Sequence, residues 1–333
     1  MDDATRRPSI VQRFRGFLMR PRAFVFGALL CCAYIFLQSP PLWFVRVVPA
    51  EIPLWESIDP DGERVLIVAP HPDDDILAVG SSIVAFREEG TPVLVVFLTS
   101  GDANWAGKRL ITMNPFSLPG EFRALGTRRQ KEAVVALSRL DVDPESAVFL
   151  NYPDRGLSAL LGDHWFAADP FQSPYTGRAS KYSRVAFNPG SAYCGEELLR
   201  DLEEIIWAFR PTILYLPHPL DAHEDHRAGY RFVRMAIDEL EGIDEFERPA
   251  LRCYLVHSYA GLWPPPSRVQ DLRPLDPMDA FLGLGTWHAV ELPATTINAK
   301  YRALRAHASQ WWTCGSFLRR FICTNELYMV EDT

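Results

Sequence analysis

Two short clusters of histidine and carboxylate side chains stand out in the sequence. The first reads HPDDD at residues 71–75, and the second reads HPLDAHEDH at residues 218–226, which holds three of the chain's eight histidines. Adjacent carboxylates repel one another unless protons or a cation neutralise them. Imidazole and carboxylate are also the usual ligands of catalytic zinc, which keeps three protein ligands and one open position for water. The two clusters together therefore predict a divalent metal site.

Each cluster has a simpler explanation when single residues are taken alone. Acidic residues are favoured at the start of a helix, so Asp75 could serve only there. Asp225 could likewise cap a helix that the pattern places from about Arg227. These explanations leave unexplained the His-Pro step ahead of the three acids and the density of histidines in the second cluster.

Both clusters follow short apolar runs that are typical of buried strands, at residues 64–69 and 213–216. Further strand patterns alternate with helical patterns: strands at 93–98, 147–150 and 251–257, and helices at 76–89, 123–140, 196–209 and 227–240. This alternation predicts an α/β fold, a Rossmann-like three-layer sandwich with a mostly parallel sheet. Ligands of such sheets bind beyond the carboxyl ends of the strands, where both clusters would lie. Residues 157–190 fit neither pattern and are rich in proline and aromatic side chains, so we expect a loop over the site.

Charge is distributed unevenly along the chain. The net charge is −8, but residues 1–50 carry +5 and the remainder carries −13. An acidic main body argues against a nucleic acid as substrate, because phosphate backbones select basic surfaces.

The N-terminal region combines arginines with the apolar run 23–37. This pattern favours a membrane anchor over a cleaved signal peptide or a buried helix. We therefore expect a basic tail and membrane-anchor helix over residues 1–50 and one catalytic domain over residues 51–333. By the positive-inside rule, a single-pass protein of this kind would hold its catalytic domain on the non-cytoplasmic side.

The six cysteines include no C-x-x-C pair, which makes a cysteine-based zinc site an unattractive prediction. Cys314 and Cys323 could form a disulfide in an oxidising compartment. The reading we favour is that these residues, with Cys194 and Cys253, are free thiols.

Several motifs resemble those of the PIG-L/LmbE-like N-acetylglucosaminyl deacetylase family. The first cluster, within APHPDDD, is similar to the family pattern (A/P)-H-P-D-D-E, and HEDH at residues 223–226 is similar to H-x-D-H. Further matches are TSGD at 99–102, RQKE at 129–132, YPD at 152–154 and NEL at 325–327, so the resemblance covers roughly residues 60–330. One departure is Asp75, where the family usually has Glu, which puts contacts of that longer side chain in doubt.

The resemblance implies a metal centre and a base. His71, Asp74 and His226 would be the ligands of Zn²⁺ or another divalent metal. Asp73 would be the general base that takes a proton from the attacking water.

Four further residues receive roles from the same resemblance. His223 would stabilise the developing oxyanion or protonate the leaving nitrogen, and Asp225 would orient and charge His223. Arg129 and His257 would contact the substrate.

The implied function is metal-dependent hydrolysis of an N-acetyl or other N-acyl group on a substrate that contains an amino sugar. The expected partners are thus an N-acetylated sugar or glycoconjugate and, through the N-terminal helix, a membrane. Two alternatives stay open: a zinc hydrolase of a non-sugar N-acyl amide or ester, and a non-catalytic, metal-stabilised binding module of the cell envelope.

Overall fold

A computed structural model of the chain describes Val45, Val47 and residues 61–331, with gaps at 115, 117, 260–262, 266–271 and 284. The strands are β1 (Val65–Ala69), β2 (Val93–Thr99), β3 (Ala147–Tyr152), β4 (Ile213–Pro217), β5 (Ala250–Tyr254), β6 (Thr286–Glu291) and β7 (Asn325–Val330). The helices are α1 (Asp74–Glu88), α2 (Trp105–Thr112), α3 (Pro119–Ser138), α4 (Leu157–Leu160), α5 (Gly195–Phe209), α6 (Glu224–Leu240), α7 (Ala294–Leu304) and α8 (Ala308–Leu318). Short 3-10 helices lie at Pro144–Ser146, Asp279–Phe281 and Arg319–Phe321.

The described strands form one sheet in the order β3-β2-β1-β4-β5-β7-β6. Strands β3 to β5 along this order pair in parallel, and β7 and β6 pair antiparallel at one side. β1 and β2 are apolar and buried at nearly every position, as expected for strands covered on both faces. The prediction of an α/β fold with a mostly parallel sheet is confirmed.

Helices cover both faces of the sheet and form two apolar cores. One core joins the sheet to α1, α3, α7 and α8. The other joins it to α4, α5 and α6. The first turn of α1 and the first turn of α6 therefore approach the same sheet edge from opposite layers, and this places the two predicted clusters.

A buried ion pair interrupts α1 and ties it to the last strand. Val79 has non-helical dihedral angles, and the freed Leu77 carbonyl accepts a hydrogen bond from Lys300 Nζ at 2.8 Å. The Glu326 carboxylate accepts from the backbone N–H groups of Ser81 and Ser82 at 2.8 and 2.9 Å and lies 2.7 Å from Lys300 Nζ. The pair thus replaces the missing helical hydrogen bonds and fixes the direction of α1.

Replacing Glu326 with Ala should lower the free energy of unfolding by about 3–5 kcal/mol, because it leaves the Lys300 ammonium buried and unpaired. Urea denaturation followed by circular dichroism measures this change. Glu63→Ala, at an exposed glutamate, is the matched control and should cost less than about 0.5 kcal/mol. Equal stability of the two variants would contradict the role given to Glu326.

His307, directly before α8, is fully buried, and neither ring nitrogen has a hydrogen-bond partner among the described residues. Burial lowers its pKa to about 3, and the nearby Arg129 and Arg139 charges act in the same direction. Because the ring stays neutral in the folded protein, its contribution to the free energy of unfolding is fully present above pH 6.5, the usual histidine pKa. This contribution is lost as the pH falls from 6.5 towards 3.

Lowering the pH from 6.5 to 5 should reduce the free energy of unfolding by about 2 kcal/mol through His307 alone. His307→Leu should abolish this part of the pH dependence. Urea denaturation at pH 7 and pH 5 gives the difference. His288→Leu, at an exposed histidine, should keep the wild-type pH dependence. An unchanged slope in the His307 variant would contradict this account.

The prediction of a single-pass membrane protein is wrong for the part of the chain that the structure describes. None of the described helices combines the length and the apolar character needed to cross a bilayer. The predicted anchor, residues 23–37, lies outside the described residues, as does most of the region 1–50. The division into regions 1–50 and 51–333 stays a prediction.

Cys314 and Cys323 are free thiols, as are Cys194 and Cys253, so the favoured reading of these four cysteines agrees with the structure.

Candidate active site and metal centre

The first cluster lies in the turn between β1 and α1. Asp73 precedes the helix with φ 136° and ψ −26°, a conformation that L-residues rarely adopt and that is typical of functional sites. Thr99 at the end of β2 clamps this turn, because both its N–H and its Oγ1 donate to the Pro70 carbonyl. Asp74 then begins α1, and the turn directs its carboxylate back over the sheet edge.

The second cluster lies between β4 and α6, and β4 pairs directly with β1. His223 caps α6, since its Nδ1 accepts a hydrogen bond from the Asp225 N–H at 3.2 Å. His226 follows one turn later. Because neighbouring parallel strands end at the same edge, the two clusters meet as the sequence predicts.

The Asp74 carboxylate joins the two clusters. Its Oδ2 lies 3.1 Å from His71 Nδ1 and 3.0 Å from His226 Nε2. Ring nitrogens of His71, His223 and His226 also lie within 4.8 Å of one another. The structure thus brings together all three predicted metal ligands and adds His223 beside them.

These residues fit a divalent cation. His226 is fully buried, and neither of its ring nitrogens makes a hydrogen bond to a described residue, although both lie near carboxylates. Buried polar atoms normally have partners, and neutral imidazole with carboxylate is a common donor set for such ions. Two neighbouring groups could also contribute donors: Asp221 with His226 and His257, and His71 with Asp154 and Asp225.

Asp73 is held by Arg129. The guanidinium Nη2 lies 3.3 Å from Asp73 Oδ1, and the same group donates to the carbonyls of Pro72 and Gly101. Burial raises the pKa of Asp73 to about 7, although the Arg129 charge opposes the shift. Asp73 can therefore exchange a proton near neutral pH. A side chain at Gly101 would collide with Arg129, since a Cβ there would lie 1.9 Å from its Nη1.

The contact of Arg129 with the substrate stays a prediction; in the structure its guanidinium is buried and has three protein partners. It lines the cavity above the site mainly as a support of Asp73. We attribute this to the position of Arg129 inside α3, below the turn that carries Asp73.

The Asp225 carboxylate does not contact the His223 ring, which corrects the orienting role expected for it. Its Oδ2 accepts from the Arg155 N–H at 2.6 Å and lies 3.3 Å from His71 Nε2, and its Oδ1 accepts from the Leu157 N–H. Asp225 therefore attaches the loop after β3 to His71. Only its backbone N–H reaches His223.

His223 is a neutral imidazole. Burial lowers its pKa to about 2, and the neighbouring charges of His71 and His226 act in the same direction. Because Nδ1 accepts the Asp225 N–H, the proton of the neutral ring lies on Nε2. His223 can thus donate a hydrogen bond to an oxygen that gains negative charge.

Asp221 is a site residue that the sequence reasoning missed. Its Oδ1 accepts from the His223 N–H at 2.8 Å and lies 3.2 Å from His257 Nδ1, while its Oδ2 lies 3.2 Å from His226 Nδ1. Burial opposes ionisation, yet the His226 and His257 imidazoles hold the pKa of Asp221 well below its usual range. One carboxylate thus binds the backbone of His223 and lies beside the imidazoles of His226 and His257. Its place between two histidines of one cluster was a signal available in the sequence.

Asp154 and Arg155 were also missed as site residues. Asp154 accepts from the Ala103 N–H at 2.7 Å, and its other oxygen lies 3.4 Å from His71 Nε2. Arg155 has φ 60°, its side chain is exposed, and its guanidinium makes no hydrogen bond or ion pair with another described residue. The YPD motif indicated this turn, but it did not indicate the exposed guanidinium of Arg155 that follows the motif.

A cavity of about 460 Å³ opens above these residues, a size typical of small-molecule sites. His71, Asp73, Asp74, Arg129, Asp154, Arg155, His223 and His257 contribute to its wall. The predicted loop over the site is not observed, because no residue of 157–190 is among those that line the cavity. Three of its aromatics, Trp165, Phe171 and Phe187, pack instead against the core of α4, α5 and α6.

Comparison with known families identifies the domain. The sequence model of the PIG-L family, described as GlcNAc-PI de-N-acetylase, matches residues 66–237, about half of the chain. The chain belongs to the PIG-L family. Both histidine clusters, Arg129 and Asp154 lie within this match, whereas His257 and helix α8 lie beyond its end.

Two curated relatives are described as 1D-myo-inositol 2-acetamido-2-deoxy-alpha-D-glucopyranoside deacetylases. The one from Kineococcus radiotolerans is 27% identical over 181 residues, covering 54% of this chain and 45% of the relative. The one from Nocardia farcinica is 28% identical over 177 residues, covering 52% and 51%. The match thus spans about half the length of these relatives. A solved triple mutant of a deacetylase of the teicoplanin biosynthetic pathway has a TM-score of 0.50 at 17% identity, covers 81% of this chain and 98% of its own, and supports the fold alone.

Asp221→Ala should weaken Zn²⁺ binding about 10- to 100-fold, because a histidine that loses its orienting carboxylate binds metal less well. Competition with a chromophoric chelator measures the affinity, and a thermal melt establishes that the variant is folded. Asp244→Ala, at an exposed aspartate, should bind as the unchanged protein does. An unaltered affinity in folded Asp221→Ala would show that His226 needs no such support.

Proposed function

We propose that this chain is a metal-dependent hydrolase that removes an N-acetyl or other N-acyl group from a substrate containing an amino sugar. The observation that carries the proposal is Asp73, a buried carboxylate held by Arg129 in the cavity wall directly beside Asp74, which contacts both His71 and His226. Amide hydrolysis by water needs a base at this place. Membership of the PIG-L family and the deacetylase activity printed for both curated relatives support the reaction class.

For the metal we propose Zn²⁺ held by His71, Asp74 and His226, with another divalent ion as the alternative, since these donors serve several metals. The buried, unbonded nitrogens of His226 support a resident cation. When bound, a divalent metal supplies a water of lowered pKa and polarises the amide carbonyl.

The protein's own groups then carry the protons. Asp73 accepts a proton from the attacking water, and Arg129 keeps its carboxylate in position for that transfer. His223 donates a hydrogen bond from Nε2 to the oxygen that becomes negative. As the carbon–nitrogen bond breaks, the proton on Asp73 passes to the leaving nitrogen, so that a carboxylic acid and an amine are the products. Arg155 and His257, which are open to the cavity, are our candidates for substrate contacts.

Two other functions would use the same site differently. A hydrolase of a non-sugar N-acyl amide or ester would share every catalytic group and differ only in its substrate. A non-catalytic metal-stabilised module would need the three ligands but not a base beside them. Activity measured on a panel of N-acyl sugars, non-sugar amides and esters distinguishes the first alternative from the proposed function. A variant of Asp73 distinguishes the second.

Asp73→Asn should lower kcat by about 10²- to 10⁴-fold, the usual contribution of a general base, while Zn²⁺ content is retained. Acetate release from N-acetylglucosamine derivatives and metal analysis of the same sample measure the two quantities. Asp244→Asn is the matched control and should keep both activity and metal.

Three results would contradict the proposal in different ways. Full activity of Asp73→Asn would remove its role as base. Loss of metal together with activity would make Asp73 a ligand. Turnover that survives exhaustive chelation would exclude a metal-dependent reaction.

A further inference from the structure

One wall of the catalytic cavity is apolar, although the proposed substrate head group is polar. Helix α8 contributes Gln310, Cys314, Phe317 and Leu318 to the wall. All four side chains line the same cavity, and the helix is kinked between them at Cys314, which has φ −135° and ψ 23°. Leu77 of α1, one turn after Asp73, extends the same wall.

Leu77, Cys314, Phe317 and Leu318 come from the layer of α1 and α8, whereas Asp154 and Arg155 lie directly before a helix of the other layer. Leu77 and Leu318 belong to the core on the α1 and α8 side of the sheet, where Cys314 and Phe317 also pack. Asp154 and Arg155 precede Leu157, which belongs to the opposite core of α4, α5 and α6. The scissile amide, held between Asp73 and His223, would therefore have a polar side and an apolar side.

The apolar wall reaches the protein surface. Trp105 lines the cavity and is 48% exposed, and α2, which it begins, packs against α8. The segment that follows exposes Met113, Phe116 and Leu118, all more than half accessible. A site built for acetyl alone would need only a small apolar recess, whereas the apolar lining of this cavity extends from the buried Leu77 to the half-exposed Trp105.

We infer that the acyl group removed is an alkyl chain longer than acetyl, of about four to eight carbons, which lies on the wall formed by Leu77, Trp105, Cys314 and Phe317. The amino sugar occupies the side of Asp154 and Arg155. This inference rests on the proposed function and specifies its substrate. The products are the corresponding alkyl carboxylic acid and the free amino sugar, with one water consumed.

The intact Zn²⁺-loaded protein tests the inference with two substrate series. The first series is glucosamine carrying N-acetyl, N-butanoyl, N-hexanoyl or N-octanoyl groups. The second keeps N-acetyl and lengthens an alkyl chain on the anomeric oxygen. We expect kcat/KM to rise about two- to fourfold per added methylene in the first series, at least to hexanoyl, and to stay level in the second.

Variants locate the effect on the wall. Trp105→Ala and Phe317→Ala should each lower the ratio of hexanoyl to acetyl kcat/KM by about tenfold, because a large apolar contact is lost. Phe166→Ala, at an aromatic 65% exposed outside the cavity, should leave that ratio unchanged.

The outcomes are distinguishable. An acyl series that is flat or falls beyond acetyl, with acetyl still hydrolysed, would overturn the inference and leave the proposed function standing. A rise confined to the anomeric series would overturn it as well, by placing the sugar's aglycone on the wall. Absence of turnover on every member would overturn the proposed function and this inference with it.

Discussion

The buried carboxylate of Asp74, shared between the imidazoles of His71 and His226, is the contact on which the site depends. A carboxylate removed from water is strongly destabilised unless it is paired. Here the partners come from two loops about 150 residues apart in the chain, and the parallel pairing of β1 with β4 brings these loops together. The sheet order therefore assembles a set of donors that suits a cation.

Other buried charged groups hold the helices that surround this contact. Lys300 and Glu326 replace broken hydrogen bonds inside α1, and Glu132 of α3 accepts from the N–H and hydroxyl of Ser309 at the start of α8. Arg129 bridges the turn after β1 to the turn after β2. Each charge is bound to backbone groups at a helix end, at a kink or in a turn that follows a strand. Such bonds restrain direction as well as position, which suits a site whose geometry must be kept within fractions of an ångström.

The chemistry proposed here follows from different environments given to similar side chains. Asp73 and Asp74 are neighbours in sequence, yet burial raises the pKa of Asp73 to about 7, while the His226 and His71 imidazoles outweigh burial and hold the pKa of Asp74 well below its usual range. One residue can thus exchange a proton near neutrality, and the other stays ionised, as its proposed role as a metal ligand requires. Pairs of titratable groups whose pKa values are shifted in opposite directions are typical of acid–base sites. In addition to this difference in charge between Asp73 and Asp74, the wall formed by α8 makes one side of the cavity apolar.

The sequence by itself determined the fold class and the location of the chemistry. Apolar runs followed by HPDDD and HPLDAHEDH specify strands whose carboxyl ends carry the clusters, because strand burial and helix-start preferences are local properties. The tertiary structure alone decided which partner each polar group received. Arg129 binds Asp73 and two carbonyls, Asp225 contacts His71 and the loop after β3, and Asp221 contacts segments that carry three histidines. Such pairings form between side chains of segments that are far apart in the sequence. A local sequence pattern does not specify which of these side chains come into contact.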